Sequence, residues 1–486
     1  MAAAWSLSRF PERYEVHVIE PGEEAGGVAC SLRRSLGGGG ENEVGVSINY
    51  GVQGGNSKAH QNTIEMLRLF GMDASPAELA VSFGKGEHNW KNYERKPLQT
   101  RLKGETARFG VVIKWIARLE FITIFLSIDF VLRLCLFSDA FRHRMVYPLV
   151  ALFFGTGNQT PKVSAAVIAR VFRDPSLALF EYDPEYLLSQ APKTIAFPEL
   201  RELYSRMRQQ AEATGGCTFH MRTQASRVRR TAHGVLVSLE AAPSTWRAGS
   251  DQTSGDRTPA TTTGEGWELA LDEVIFACPA NVALKILAED ASLAERWVLG
   301  SVEYFHDLTV THTDHEYMQR HAEVDERAMY YIKTYDEKPE CCEMGFHLTG
   351  YQPALQEARD KGHRIYQTIF LNRDDSHLWT IDQVDKAKIL DKSWWVAFSH
   401  TFKHFRWVVP WVWTIQGRKH SLFAGSWTLF NTHDIAISSG LAAAQKLGAP
   451  YPFDHNELAS QTFKTVLLAS HLSTHRQADA RRPKLN

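Results

Sequence analysis

No stretch of this 486-residue chain is long and apolar enough to cross a bilayer. That takes roughly 20 uninterrupted apolar residues, and the greasiest region, from Phe109 to Phe137, is broken by Lys114, Arg118, Glu120, Asp129 and Arg133. Its longest uncharged run is Phe121–Ile128, so no transmembrane segment is expected. An excess of one charge is lacking too. Lys plus Arg number 54 and Asp plus Glu 55, a formal net charge of −1, so the chain as a whole is no polyelectrolyte partner for nucleic acid or an anionic membrane. Cysteine is scarce and scattered: six residues, two of them adjacent (Cys341, Cys342), with no CxxC pair. Neither a disulfide framework nor a zinc ribbon is suggested, and a reducing, cytoplasmic setting fits. The opening MAAAWSLSRF lacks a basic segment followed by an apolar run of signal-peptide length. GxSxG, P-loop, HExxH and paired-carboxylate signatures are all missing.

What is present is ordinary globular composition, 44% hydrophobic and 22% charged. Tyr14–Glu20 (YEVHVIE) is β-branched-rich, ends in an acid and runs into Pro21-Gly22, which predicts a buried parallel strand stopped by a turn. Helix formers precede it over Ala2–Phe10, and helical periodicity returns at His60–Phe70, closed by Gly71. Mixed helical sequence fills the region from Phe109 to Gln210. In its first part Lys114, Arg118, Asp129 and Arg133 fall within an arc of about 100°. That stripe marks one long helix or a broken pair with a broad apolar face, either core of a helical lobe or a lipid-binding surface. Thr218–Val228, Gly234–Glu240 and Trp267–Ala277 read as strands, and the Ser-, Thr-, Gly- and Pro-rich residues 241–266 between them as a mobile extension. A strong helix, Ile435–Leu447, stops at Gly448, and residues 470–486 read as a frayed tail.

Three features carry chemistry. Glu20 ends a buried strand, where a carboxylate accepts hydrogen bonds from a dinucleotide's ribose hydroxyls. Six residues later Gly26-Gly27 offers two positions without Cβ, where backbone passes close to a phosphate-bearing cofactor. Near the far end, FAGSW (Phe423–Trp427) leads through Gly425 to a helix start crowded with small residues, including Ala436, Ser438, Ser439 and Gly440. Small residues let a positive helix terminus approach an electron-rich ligand such as a flavin pyrimidine ring.

Together these features resemble the flavin-containing amine oxidase superfamily, and within it the branch of predicted NAD/FAD-binding flavin amine oxidoreductases. Supporting segments are Ile48–Gly54, Phe153–Pro161, Asp272–Leu287, His306–Met318, Glu343–Gln352 and Tyr366–Leu371, and the likeness extends from residue 1 to about Phe453. It implies an α/β fold: a discontinuous FAD-binding Rossmann-type domain from residues 1–75, 198–290 and 415–455, with an interleaved α+β substrate domain from 76–197 and 291–414. It implies FAD as cofactor, with Glu20 on the ribose and Gly26, Gly27 and Val28 along the pyrophosphate. Tyr50, Gly51 and Val52 would lie beside the isoalloxazine, and Val228 would pair by its backbone with the adenine. Cys278 and Pro279 would close the back of the site, and Gly425, Ser426, Ile435 and Ala436 would meet the ribityl chain and ring. Val28 stands where many amine oxidases carry an arginine. The G-x-G-x-x-G turn that should precede the first helix is missing, together with roughly 15 residues of strand and turn. The domain therefore reads as N-terminally truncated, either an incomplete gene product or a relic.

The implied activity is hydride transfer from substrate to flavin, with oxygen as electron acceptor. The substrate is an amine or an apolar, lipid-like molecule. Bacterial relatives that resemble this chain often accompany cyclopropane-fatty-acid synthases, which favours lipid and leaves peripheral membrane contact open. The alternative is a non-catalytic flavoprotein relic or scaffold. Trp427 and His433, flanking the last flavin segment, are the candidate catalytic side chains. His312, Asp314, His315 and His321 follow no metal-ligand spacing, so no metal is expected. Trp394, Trp395, Phe398, Phe402, Phe405, Trp407, Trp411 and Trp413 form an apolar wall around His400 and His404, either an aromatic substrate cage or packed core.

Overall fold

The computed structural model describes residues 1–36, 43–174, 179, 181–189, 194–244, 246 and 266–474. The β-branched run Val16–Glu20 is a half-buried strand, and it pairs in parallel with Cys217–Met221, Glu20 lying opposite Met221. A parallel pair requires a long crossover covered by helix. The helix Leu200–Ala213 enters the second strand and packs on the first helix, Ala2–Ser8, where Trp5 Nε1 donates to Gln210 Oε1 at 2.7 Å. A second parallel ladder joins Val274–Phe276 to Ser421–Phe423. Both ladders lean on one apolar cluster, with Leu7, Ala444 and Ala449 buried and Val16 and Ile275 packed against them. Among the described residues each of these ladders has two strands.

Two strands expected as continuous are each divided. Thr218–Val228 is the end of Cys217–Met221 followed by Thr223–Arg230, broken at Arg222, whose φ of +51° turns the chain. Thr223–Arg230 then opens an antiparallel sheet with Val235–Ala241 and Trp267–Leu271. Trp267–Ala277 likewise splits into Trp267–Leu271 and Val274–Phe276. Most of the predicted extension at 241–266 lies outside the described residues.

The Phe109–Phe137 region is three helices, Lys103–Arg118, Glu120–Thr123 and Ile128–Leu134. The last begins where Ser127 Oγ accepts from Phe130 N, an N-cap that satisfies a free donor of the first turn. A seven-stranded sheet follows, in the spatial order Ile389–Phe398, Tyr304–His312, Tyr366–Phe370, Cys342–His347, Tyr330–Thr334, Val81–Phe83, Trp90–Lys91. Its pairings are antiparallel except Tyr330–Thr334 with Val81–Phe83.

The chain stays packed further than the predicted start of a tail at 470. Helix Glu457–His471, capped by Asn456, buries Ser470 and His471, and Ser473 is buried beyond it. Residues 475–486 lie outside the described residues. The six cysteines are free, and no described helix is long and apolar enough to cross a membrane.

Candidate active site

Glu20 sits at the carboxyl end of its strand, and its Oε1 accepts from Gly22 N at 2.8 Å. Burial pushes its carboxyl above the usual carboxylate range despite that hydrogen bond. The Trp246 ring lies on the same turn: a Cβ at Gly22 would come within 2.7 Å of it. Gly27, at φ +59°, has nothing within 4 Å of where its Cβ would be.

Gly26, at φ +133°, joins the two ends of the chain. Its Cβ position lies 2.8 Å from the Tyr204 ring, and Tyr204 Oη is 2.5 Å from His433 Nε2. The other imidazole nitrogen, Nδ1, meets Thr63 Oγ1 at 3.1 Å. Burial pushes the His433 pKa down to about 3, so the ring is neutral. Asp434 beside it accepts from Thr63 N at 2.7 Å and from Asn62 Nδ2 at 3.1 Å. The start of helix His433–Lys446 is thereby fixed against helix Gln61–Leu69.

Tyr50, Gly51 and Val52 follow strand Val44–Asn49. Tyr50 Oη donates to Asp391 Oδ2 at 3.1 Å, Ser393 Oγ to the same oxygen at 2.8 Å, and Arg34 Nη2 to Asp391 Oδ1 at 2.9 Å. The Trp395 ring lies so close to Gly51 that a Cβ there would be 1.5 Å from Cη2 and 2.6 Å from the Val28 carbonyl oxygen. Only glycine fits. The Val28 side chain is exposed, while the Tyr50 and Trp395 rings stand 5.9 Å apart at 38°.

At the far end Gly425 adopts φ +144° and donates its N–H to Ser439 Oγ at 2.8 Å. Its Cβ position would be 3.0 Å from the Trp427 ring. Trp427 is buried, and its indole N–H has no hydrogen-bond partner among the described residues. Ser426 Oγ donates to Asn431, and Ile435 is buried with Ala436 half-buried behind it. Trp427 shares a core cluster with Val228 and Phe276, on which Ile19 and Cys278 pack. Glu20 is therefore one residue from the same cluster. Burial pushes the Cys278 thiol up to about 12, and Pro279 caps a helix whose Ala280 N donates to Tyr304 Oη at 2.7 Å.

The structure thus joins Gly26 to His433, Gly51 to Val28, and Val228 to Cys278 and Trp427. Tyr204, Thr63, Asp391 and Trp246 stand among these residues without a local sequence signal, because each reaches the site through tertiary packing. Of the aromatic wall, Trp395 faces the site, whereas Phe398 and Phe405 are core and Trp407, Trp411 and Trp413 are exposed. His312, His315 and His321 engage Thr368, Tyr366 and Gln383 separately. A cavity of about 570 Å³, lined by Ser35, Thr313, His315, His363 and Arg364 among others, includes none of the candidate residues.

The family described as flavin containing amine oxidoreductase matches residues 1–448, and the chain belongs to it. No curated protein matches the sequence. Solved structures share the fold. The CLA-producing fatty acid isomerase from P. acnes matches at TM-score 0.56 and 13% identity, covering 90% of this chain and 95% of that one. Cyclohexylamine oxidase from Brevibacterium oxydans IH-35A matches at TM-score 0.56 and 12% identity, covering 92% and 96%. A triple mutant of putrescine oxidase matches at TM-score 0.55 and 13% identity, covering 92% and 96%. The architecture is that of the amine oxidases, mixed α/β, and the cofactor of the family is FAD.

Three features suit that cofactor. Among the described residues the Glu20 carboxylate has one hydrogen-bond partner, leaving acceptor capacity for a diol. Gly27 opens onto free space, and the buried Trp427 N–H is a donor awaiting an acceptor. Burying an unpaired indole N–H costs about 1–3 kcal/mol, which a ligand acceptor removes. Tyr204→Phe is expected to unpair His433 Nε2 and lower stability by about 1–3 kcal/mol, read by denaturant melts. An unchanged midpoint would remove the Tyr204–His433 contact from this account.

Proposed function

We propose that the protein is an FAD-dependent oxidoreductase acting on an apolar, lipid-like substrate, with oxygen as the electron acceptor. FAD, when bound, supplies the hydride acceptor. The observation that carries the substrate class is the Tyr50–Trp395 pair beside Gly51, where Asp391, the acid at that pair, is already engaged by Arg34, Tyr50 and Ser393. A cationic amine binds best where a carboxylate is left free beside aromatic rings; here the acid at the pair is already engaged.

In this reading residues 1–75, 198–290 and 415–455 hold the dinucleotide, and 76–197 with 291–414 shape the substrate side. Glu20 accepts from the ribose. Gly26, Gly27 and Val28 give backbone to the pyrophosphate, Val228 gives backbone to the adenine, and Cys278 with Pro279 closes the back. Gly51, Val52, Gly425, Ser426, Ile435 and Ala436 flank the ring system. Trp427 donates its indole N–H there. His433, with both nitrogens engaged, is a positioning residue that sets Tyr204 against Gly26. Glu20→Ala is expected to weaken FAD binding about 10- to 100-fold, the worth of a hydrogen bond to a charged group, read by flavin fluorescence titration.

A second reading, a scaffold without flavin, is favoured by the rings of Trp246 and Trp395, which occupy the faces of Gly22 and Gly51. The test is the visible spectrum of the full chain after incubation with FAD and removal of excess. A retained flavin band excludes the scaffold. Anaerobic bleaching by unsaturated fatty acids supports the lipid reading, and bleaching by amines alone replaces it.

A further inference from the structure

Among the described residues an apolar face is turned to solvent. Nineteen large apolar side chains are exposed among the described residues, and nine of them fall between Val111 and Leu136. Scattered exposed leucines need no explanation, whereas a concentration of this kind marks an interaction surface. Phe121 is 72% exposed and Leu136 82%.

The face continues beyond the three helices that carry it. Isolated bridges tie Ser127 to Ser164 and Val163 to Thr401, which brings helix Phe402–Trp407 alongside. Arg406 Nη2 donates to the Phe125 carbonyl at 3.3 Å, and Trp411 Nε1 to the Arg406 carbonyl at 3.2 Å. Trp407 meets Trp297 edge to face at 5.7 Å. The exposed tryptophans Trp297, Trp407, Trp411 and Trp413 thus extend the patch as a belt.

Charge selects among occupants. Lys114, Arg118 and Arg406 have no carboxylate partner among the described residues, and Arg118 stacks over Trp115. The acids nearby are already engaged: Glu120 by Arg170, Asp129 by Arg133 and Arg142. The chain's net charge is close to zero, but this face is locally basic. A second copy docked face to face would bring two basic patches together, with the acids named here already engaged. Short amphipathic helices, none long enough to span, with aromatic rings at the rim and free cations beside them, match the headgroup region of an anionic bilayer.

We propose that the surface formed by residues 111–136 and 402–413, with Trp297, seats the protein on anionic lipid bilayers. The full chain is expected to co-float with vesicles of phosphatidylcholine plus phosphatidylserine and to stay behind with phosphatidylcholine alone. Its tryptophan fluorescence should be quenched by brominated acyl chains in the former. Lys114→Ala with Arg118→Ala should weaken vesicle binding by about 30-fold, the worth of two basic residues near such a surface. Phe121→Asp should abolish flotation, while Leu69→Asp, an exposed position on helix Gln61–Leu69, should leave it intact. Circular dichroism of each variant checks the fold. Absence of flotation and quenching with the anionic vesicles overturns the proposal, as does flotation indifferent to the Lys114/Arg118 pair. A dimer on size exclusion with light scattering that Phe121→Asp converts to monomer, without vesicle binding by the parent, assigns the face to self-association instead.

Discussion

Acidification from pH 7 to about pH 5 is expected to unfold the protein. His60, His312, His400, His404, His433 and His471 are all buried. Burial pushes their pKa values down, to about 4 for His60 and His312 and about 3 for His404, His433 and His471, with His400 also well below the ordinary value. In the unfolded chain each takes up a proton near pH 6.5. The unfolded state therefore binds more protons from about pH 6.5 down to pH 3–4, and stability falls with pH across that window. Three carboxyls act in the opposite sense. Burial raises Asp307 to about 7, Asp434 to about 6 and Glu20 above the usual carboxylate range, so each contributes stability in acid that is lost as pH rises through its raised value. Six groups outweigh three. At about 1.4 kcal/mol per pH unit for each group, the net loss is on the order of 4 kcal/mol per pH unit below pH 6, against a total stability of about 5–15 kcal/mol. Thermal melts from pH 8 to pH 5 measure it. A melting temperature unchanged between pH 7 and pH 5.5 would refute the neutral-histidine account.

Arg230→Met is expected to cost about 3–5 kcal/mol, the usual loss when one member of a buried ion pair is removed. Arg230 ends the strand that carries Val228. It grips Glu295 with two N–H groups, Nη1 to Oε1 at 2.6 Å and Nη2 to Oε2 at 2.9 Å, and both side chains are almost wholly inaccessible. Glu295 also closes the cap of helix Leu293–Gly300, accepting from Ser292 N at 2.7 Å. Burial alone would raise the Glu295 pKa, but Arg230 and Ser292 together hold it below the usual carboxylate range. That contribution is present above about pH 4.5 and is lost as pH falls through the depressed value. Replacing both partners, Arg230→Met with Glu295→Leu, should restore most of the loss, because an apolar pair leaves no charge stranded. Urea unfolding of the two variants decides it: a double variant no more stable than the single one would locate the effect in the cap instead.

Local chemistry made much of the fold legible. The β-branched run before Glu20 could only be a strand with an acid at its end, and the small residues after Gly425 announced a tightly packed helix. At Gly440 the missing Cβ leaves Ala2 Cβ and Ala3 N 3.2 Å from its place, so a side chain there would require the first helix to give by a few tenths of an ångström. Gly26 and Gly425 stand out in the sequence itself, and Gly51 through the family resemblance. Their neighbours do not. Tyr204 reaches Gly26 from a helix that looks like any amphipathic surface helix, and Trp395 reaches Gly51 from a strand in a different sheet. Such pairs are set by how layers stack, which no window along the chain contains. The break at Arg222 has no local signal in the sequence, because a positive φ at an arginine has no residue signature. Helix Glu457–His471 lay past the family likeness and had only its Asn456 cap to announce it.

The second parallel ladder has a consequence for how the protein is made. Val274–Phe276 leaves the ribosome roughly 150 residues ahead of its partner Ser421–Phe423. At about 5–20 residues per second, its edge waits unpaired for about 7–30 s of translation. Bare strand edges invite pairing with other chains, so expression in cells should depend steeply on nascent-chain chaperones and on slow synthesis, more than the finished molecule's packing would suggest.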